Sequence, residues 1–342
     1  MTAPRRAVSR RGVLSWLVPT LALATAACGR ARIAAEPALP PAAAPRAIDP
    51  VADLVPAAGL VWLVEMSPRA LAASPVTGAA LATIVTDERL RAFADRHGGV
   101  DLRQTEQLVI AAYPRATLAL ARVAFDPERV EAAFAARAGE VEGRAVARGV
   151  TRVWGSVGGE REQVAMLAGE VIAVERGELG PLQAAVYFAQ GRLHRSRPAL
   201  QAAPLSDAAA LAGSAPVRAF APRPFEGPWA GGLAGLLGAT TAVAAAMRPV
   251  ARASGAALAV EIVLTGGWGD DAPAAAARLL SAFDVLATDP LARLTGMDRP
   301  VEGPRVSGDA GALRLDVTLD ATALARGVRA ATGATLDEIM SY

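Results

Sequence analysis

Cys28 is the only cysteine of this 342-residue chain, and His97 and His194 are its only histidines. A lone thiol excludes a disulfide framework and a thiolate-rich zinc or iron–sulfur centre, so no metal is expected. The nearest approach to a nucleophile motif is Trp154-Gly155-Ser156-Val157-Gly158. It has tryptophan where the strained G-x-S-x-G turn needs glycine. Its flanks read as a strand entering a glycine turn, and no catalytic residue is expected there. Gly267-Trp268-Gly269-Asp270-Asp271-Ala272 fits G-x-G-x-x-A between a strand and a helix, the setting of a dinucleotide-binding turn. Asp270 and Asp271, however, put negative charge where a pyrophosphate would sit, and the preceding strand alternates instead of being apolar on both faces. A turn capped by Asp271 is the expectation, with no cofactor. Glu160 and Glu162, beside Gly158 and Gly159, read as solvated acids of a turn.

Arg192, His194, Arg195 and Arg197 form the one basic cluster of the body. They are a candidate anion site for lipid head groups or acidic polysaccharide; the structural alternative is that they complement the carbonyl end of a helix near 180–190. Residues 227–247 carry no charge for 21 positions. Their many alanines and glycines predict a helix packed closely on a sheet, with lining a ligand groove or spanning a membrane as the other uses of such a run.

Position gives the cysteine its meaning. Arg5 to Arg11 form a basic segment, Val13 to Ala24 a short apolar one, and Thr25-Ala26-Ala27-Cys28 a small-residue cleavage site, in the order of an export signal. This resembles the lipobox of bacterial lipoproteins, although Thr25 stands where that family usually has leucine. The resemblance implies cleavage before Cys28 and a lipid on its thiol, palmitate among the acyl groups. Two or more acyl chains give a stable anchor. Ser9-Arg10-Arg11-Gly12-Val13-Leu14 resembles the twin-arginine export motif, in a chain without lysine where every basic segment must be written in arginine. Residues 1–27 are thus expected to be a signal peptide and 28–50 a Pro/Ala-rich tether. Gly29 after the cysteine, in place of aspartate, leans towards the outer membrane.

Composition bears on partners. Basic and acidic residues number 35 and 33. Arg5, Arg6, Arg10 and Arg11 belong to the segment expected to be removed, which leaves 31 against 33. A near-neutral body has no field to hold nucleic acid. Hydrophobic residues make up 53% and aromatic ones 4%, so the core must be built from alanine and branched aliphatics.

The elements follow from periodicity. Leu60–Met66 reads as a buried strand. Thr86 caps a helix that ends at Arg96-His97-Gly98. Leu108–Tyr113 and Thr117–Ala124 read as a hairpin. A repeat is visible between residues 117–139 and 312–333: a strand, an aspartate (Asp126 or Asp320), a helix, and a glycine thirteen positions on (Gly139 or Gly333), with the glycine expected to end the helix. Leu258 to about Leu286 forms a third strand–helix unit. Leu313, Leu315, Val317 and Leu319 alternate with polar residues, which indicates antiparallel sheet with one wet face. The expected fold is α+β: two related lobes, 51–212 and 213–342, of mainly antiparallel sheet with helices on one face. The expected function is that of a non-enzymatic, membrane-anchored envelope lipoprotein with a structural or partner-binding role. The alternative is a binding module for an apolar or anionic small ligand.

Overall fold

The computed structural model describes residues 48–168, 170–178, 180–192, 196–225, 235–252 and 255–332. In chain order the elements are β1 (Trp62–Met66), α1 (Pro68–Ala73), α2 (Gly78–Ile84), α3 (Asp87–Arg96), β2 (Gln107–Tyr113), β3 (Ala116–Arg122), α4 (Pro127–Arg137), β4 (Ala138–Ala147), β5 (Val150–Val157), β6 (Glu160–Leu167), β7 (Val171–Gly177), α5 (Pro181–Ala189), α6 (Leu205–Ala212), β8 (Val217–Pro222), β9 (Thr240–Arg252), β10 (Gly255–Gly266), α7 (Ala272–Ala287), α8 (Pro290–Leu294), β11 (Glu302–Gly308), β12 (Ala312–Asp320) and α9 (Ala321–Thr332).

The fold is α+β. The strands form one antiparallel sheet in the order β11-β12-β10-β9-β8-β1-β2-β3-β7-β6-β5-β4. Strands β1 and β8 pair at its centre, and the order reads outward in the same way on both sides. β1-β2-β3 is followed by α4, by β6 and β7 returning beside β3, and by α5. β8-β9-β10 is followed by α7, by β11 and β12 returning beside β10, and by α9. Strands β4 and β5 extend only the first side. By position in this order, β3–α4 corresponds to β10–α7, and β12–α9 to β7–α5. The strand–aspartate–helix likeness of 117–139 and 312–333 is therefore a likeness of local punctuation.

That punctuation is real at the helix starts. Asp126 Oδ1 accepts the amides of Glu128 and Arg129 at 2.9 and 3.4 Å, and Asp320 Oδ1 accepts Ala323 N at 2.7 Å, as N-caps do. Thr86 Oγ1 accepts Arg89 N. Asp271 stands at the start of α7 without a side-chain cap bond. Gly139 does not close α4, because Ala138 in extended conformation ends the helix and Gly139 already belongs to β4. Gly333 lies outside the described residues.

The expectation of a helix over 227–247 fails over its second half. Residues 226–234 lie outside the described residues, and Thr240–Arg252 is strand β9. Along it, burial alternates with period two, and Ala242, Ala244 and Ala246 are fully buried. Alanine is the strongest intrinsic helix former, but tertiary context overrides propensity. Here pairing to β8 and β10 decides, and small side chains let α6 lie close on the strand.

Helices α5 and α6 cover one face of the sheet, packing on Leu118, Leu120, Ala173 and Ala244. The opposite face carries α3 and α4 over β2, β3, β6 and β7, and α7 over β10 and β12. Beyond the end of α6 the outer half of the sheet has its wet face, with Arg314, Glu261 and Arg248 joined at 2.7 and 2.9 Å. Helix α2 packs on α9 through Ala80, Ala321 and Ala325, which ties the segment after β1 to the far end of the chain.

Candidate functional site

The site begins as three rows of opposed residues on the face beneath α3 and α4. Across β3, β7 and β6 the first row is Ala121, Ile172 and Met166, the second Ala119, Val174 and Val164, and the third Thr117, Arg176 and Glu162. Polarity thus rises along the strands, from an apolar end to an ionic one. Strand β3 supplies only alanines to the first two rows, where its neighbours supply larger side chains, so a hollow forms over it. Its roof is Phe93 and His97 from α3 and Val130 from α4. The helix is fixed over the hollow by Val130 and Phe134, 4% and 1% exposed, each worth roughly 1.5–3 kcal/mol of burial. The cavity measures about 70 Å³.

Arg137, the last residue of α4, closes the ionic end. Its Nη2 donates to Glu162 Oε1 at 2.9 Å, and Arg176 Nε donates to Glu162 Oε2 at 2.8 Å. Glu162 is 1% exposed and the two arginines 18% and 19%. The guanidinium of Arg137 also lies 5.9 Å from the centre of the Phe134 ring. Both arginines therefore pair with Glu162 at the edge of an apolar chamber.

His97 caps the carbonyl end of α3 through its backbone amide, as the basic last turn and following glycine indicate. Its ring lies 4.1 Å from the Phe93 ring. Burial first, then the charges of Arg137, Arg96 and Arg176, lower its pKa to about 3, so the imidazole is neutral at physiological pH.

Glu162 is the residue that sequence reasoning misplaced. It is no solvated turn acid: the turn is Gly158-Gly159, both with positive φ, and Glu162 is two residues into β6. Its period-two relation to Val164 and Met166, both buried, was the available signal. A second buried acid, Glu175, lies on the other face under α5. Its Oε1 accepts Gly180 N and Leu182 N at 3.2 and 2.9 Å, closing that helix's N-terminus, and burial raises its pKa.

The remaining candidates are not brought to the cavity. Ser156 is a residue of strand β5, opposed by Glu140 and Arg161. Trp268 is buried in the turn between β10 and α7 and donates Nε1–H to Leu264 O at 3.4 Å. Arg192 is exposed, donates its amide to Tyr187 O and lays its guanidinium 4.4 Å from the Tyr187 ring. Exposed Arg197 accepts Ala57 N at 2.8 Å with its backbone oxygen. His194 and Arg195, like Cys28, lie outside the described residues. Among the described residues, no group of three or more His, Cys, Asp and Glu stands close enough to hold a metal, and no helix is long and apolar enough to cross a membrane.

No family model matches the chain, and no curated protein or solved structure shows significant similarity to it.

Proposed function

We propose that this chain is an exported envelope lipoprotein, anchored in the outer membrane by lipid on Cys28, whose body acts by binding a small ligand in the cavity under α3 and α4. One observation carries the binding role: an apolar hollow floored by Ala119 and Ala121 ends at buried Glu162 and the two arginines, Arg137 and Arg176, that pair with it. A mostly apolar lining with a few convergent polar groups is that of a small-molecule site, and at about 70 Å³ the chamber suits only a very small ligand. It has no need of a reactive group, and the role proposed is non-enzymatic. The anchor rests on Arg5–Arg11, the apolar run after it and Cys28 at its end.

Two measurements test the two halves. Metabolic labelling with a palmitate analogue is expected to mark the wild-type chain in the membrane fraction, whereas Cys28→Ser is unlabelled and released. An unmodified thiol in a soluble mature protein would refute the anchor. For the cavity, small apolar molecules are expected to raise the melting temperature of the wild type and to leave Ala119→Leu, whose added side chain fills the hollow, unmoved.

A further inference from the structure

We infer that a second pocket, at the seam between the two halves of the sheet, takes a small zwitterion: an α-amino acid with an uncharged side chain, whose ammonium and carboxylate meet Glu65 and Arg218. The pocket is distinct from the cavity under α3 and α4, with which it shares only Leu108. The seam is the strand pair β1 and β8, and Glu65 and Arg218 stand opposite each other across it. Arg218 Nε donates to Glu65 Oε1, and Arg218 Nη1 donates to Gly213 O, at the end of α6, at 2.8 Å. Beside this pair, Pro50 and Ala52 on one side and Ser214, Ala215 and Pro216 on the other bound a pocket of about 260 Å³.

Charge selects the head of the ligand. Among the described residues, Glu65 and Arg218 are the only charged ones that line the pocket, and their side chains are 16% and 20% exposed. Among the same residues, Glu65 Oε2 and Arg218 Nη2 make no hydrogen bond, so each member of the pair keeps a free atom. A lone anion or cation is attracted by one member and repelled by the other. A zwitterion laid against the pair gains on both sides. Ammonium to Glu65 and carboxylate to Arg218 are charge-assisted hydrogen bonds, the stronger kind. An α-amino acid carries the two groups on one carbon, side by side like the pair they meet.

Size and lining select the side chain. A water takes about 30 Å³ of the liquid, so a pocket of about 260 Å³ has room for about nine atoms of that size, the size of leucine or methionine. Met66, Ala215 and Pro216 offer it apolar contact. The Ser67 hydroxyl makes no cap bond to α1 and is left for the ligand's carboxylate. A charged side chain finds no ion partner on the remaining wall, where the Gln107 amide is already engaged by Val51 N and Asp49. Junctions between the halves of a fold are where such pockets recur.

The test is isothermal titration calorimetry on the full chain in detergent, with leucine, methionine, and two analogues that each lack one charge of leucine, isocaproate and isoamylamine. Leucine is expected to bind at least about tenfold more tightly than either analogue. Glu65→Gln should weaken leucine by at least that factor and bring isocaproate level with it, because Arg218 then meets an anion alone. Because Glu65→Gln also breaks a half-buried pair, Ala215→Phe serves as a second variant. It fills the pocket, leaves both charges in place, and is expected to melt cooperatively and to bind none of these compounds. Equal binding of leucine and isocaproate by the wild type would overturn the ligand class. Failure of all of them to bind at about 10 mM would overturn the site itself, as would undiminished leucine binding by Ala215→Phe.

Discussion

Glu162 on β6 and Arg176 on β7 stand directly opposite each other in the sheet, and the glutamate, 1% exposed, receives the arginine's Nε–H at 2.8 Å. Arg137 holds the other oxygen from the end of α4. Removing the shared anion leaves two cations facing each other at the edge of the core. Breaking a buried ion pair from one side costs about 3–5 kcal/mol. Because each arginine keeps nearly a fifth of its exposure, Glu162→Ala is expected near the low end, at about 3 kcal/mol in urea unfolding. The double variant Glu162→Leu, Arg176→Met should be clearly less damaging than Glu162→Ala, since it removes one charge of each sign. A single-variant loss below about 1 kcal/mol, the value of a solvated surface pair, would contradict the burial.

His97 makes stability depend on acid. Its folded pKa is about 3, against 6.5 for an imidazole in the unfolded chain. A depressed folded pKa means that the unfolded chain binds the proton first. The contribution is therefore fully present above pH 6.5 and is lost as pH falls towards 3. Between pH 7 and pH 4 the loss from this group is about 3 kcal/mol as an upper figure. Replacing His97 by Leu should flatten that part of the profile. Denaturant midpoints of wild type and His97→Leu that fall in parallel from pH 7 to pH 4 would rule the assignment out.

Glu175 acts in the opposite direction. Burial raises its pKa above 4.5, against the pull of the Leu182 and Gly180 amides and of Arg152. A raised carboxyl pKa means that the folded state holds the proton longer. Its contribution is greatest below pH 4.5 and is lost as pH rises through the folded pKa. Glu175→Gln keeps an acceptor for the two amides and cannot ionise. The variant should gain on the wild type in thermal melts as pH rises from 4.5 to 8, while a constant offset over that range would show that Glu175 does not titrate there.

The elements around the site were more legible than the site. Thr86 and Asp126 as caps, and the hairpin across Pro114 and Arg115, follow from local chemistry, because a capping oxygen or a turn residue acts on amides two or three positions away. The antiparallel sheet was legible in the alternation of Leu313, Leu315, Val317 and Leu319. Strand β9 was not: Ala242, Ala244 and Ala246 by themselves favour helix, and only the strands beside them make them extended. The cavity was beyond reach for a related reason. It is a shortage of volume at Ala119 and Ala121 beneath Phe93 and Val130, and Glu162 gains its meaning from Arg137 and Arg176, 25 and 14 residues away. No local pattern records those distances.

The roof of the cavity depends on a glycine. Gly98 follows His97 with φ +71°, and a Cβ placed there would stand 2.6 Å from the backbone oxygen of Arg129 and 2.7 Å from Val130 Cα. The end of α3 therefore meets α4 backbone to backbone, and this contact sets the height of His97 and Val130 over Ala119. Gly149 has nearly the same conformation, φ +74°, with nothing within 4 Å of the added carbon, so the two positions share the conformational cost and differ in packing. Alanine at either site carries about 1–2 kcal/mol for the left-handed backbone. Alanine at Gly98 must also push the helices apart, at a further cost of about 1–3 kcal/mol. Urea unfolding should thus show Gly98→Ala as the more damaging change by at least about 1 kcal/mol. Ligand-induced stabilisation should fall in Gly98→Ala and persist in Gly149→Ala, because only the former moves His97 and Val130. Equal losses of stability at the two positions would mean that α3 and α4 do not meet at Gly98.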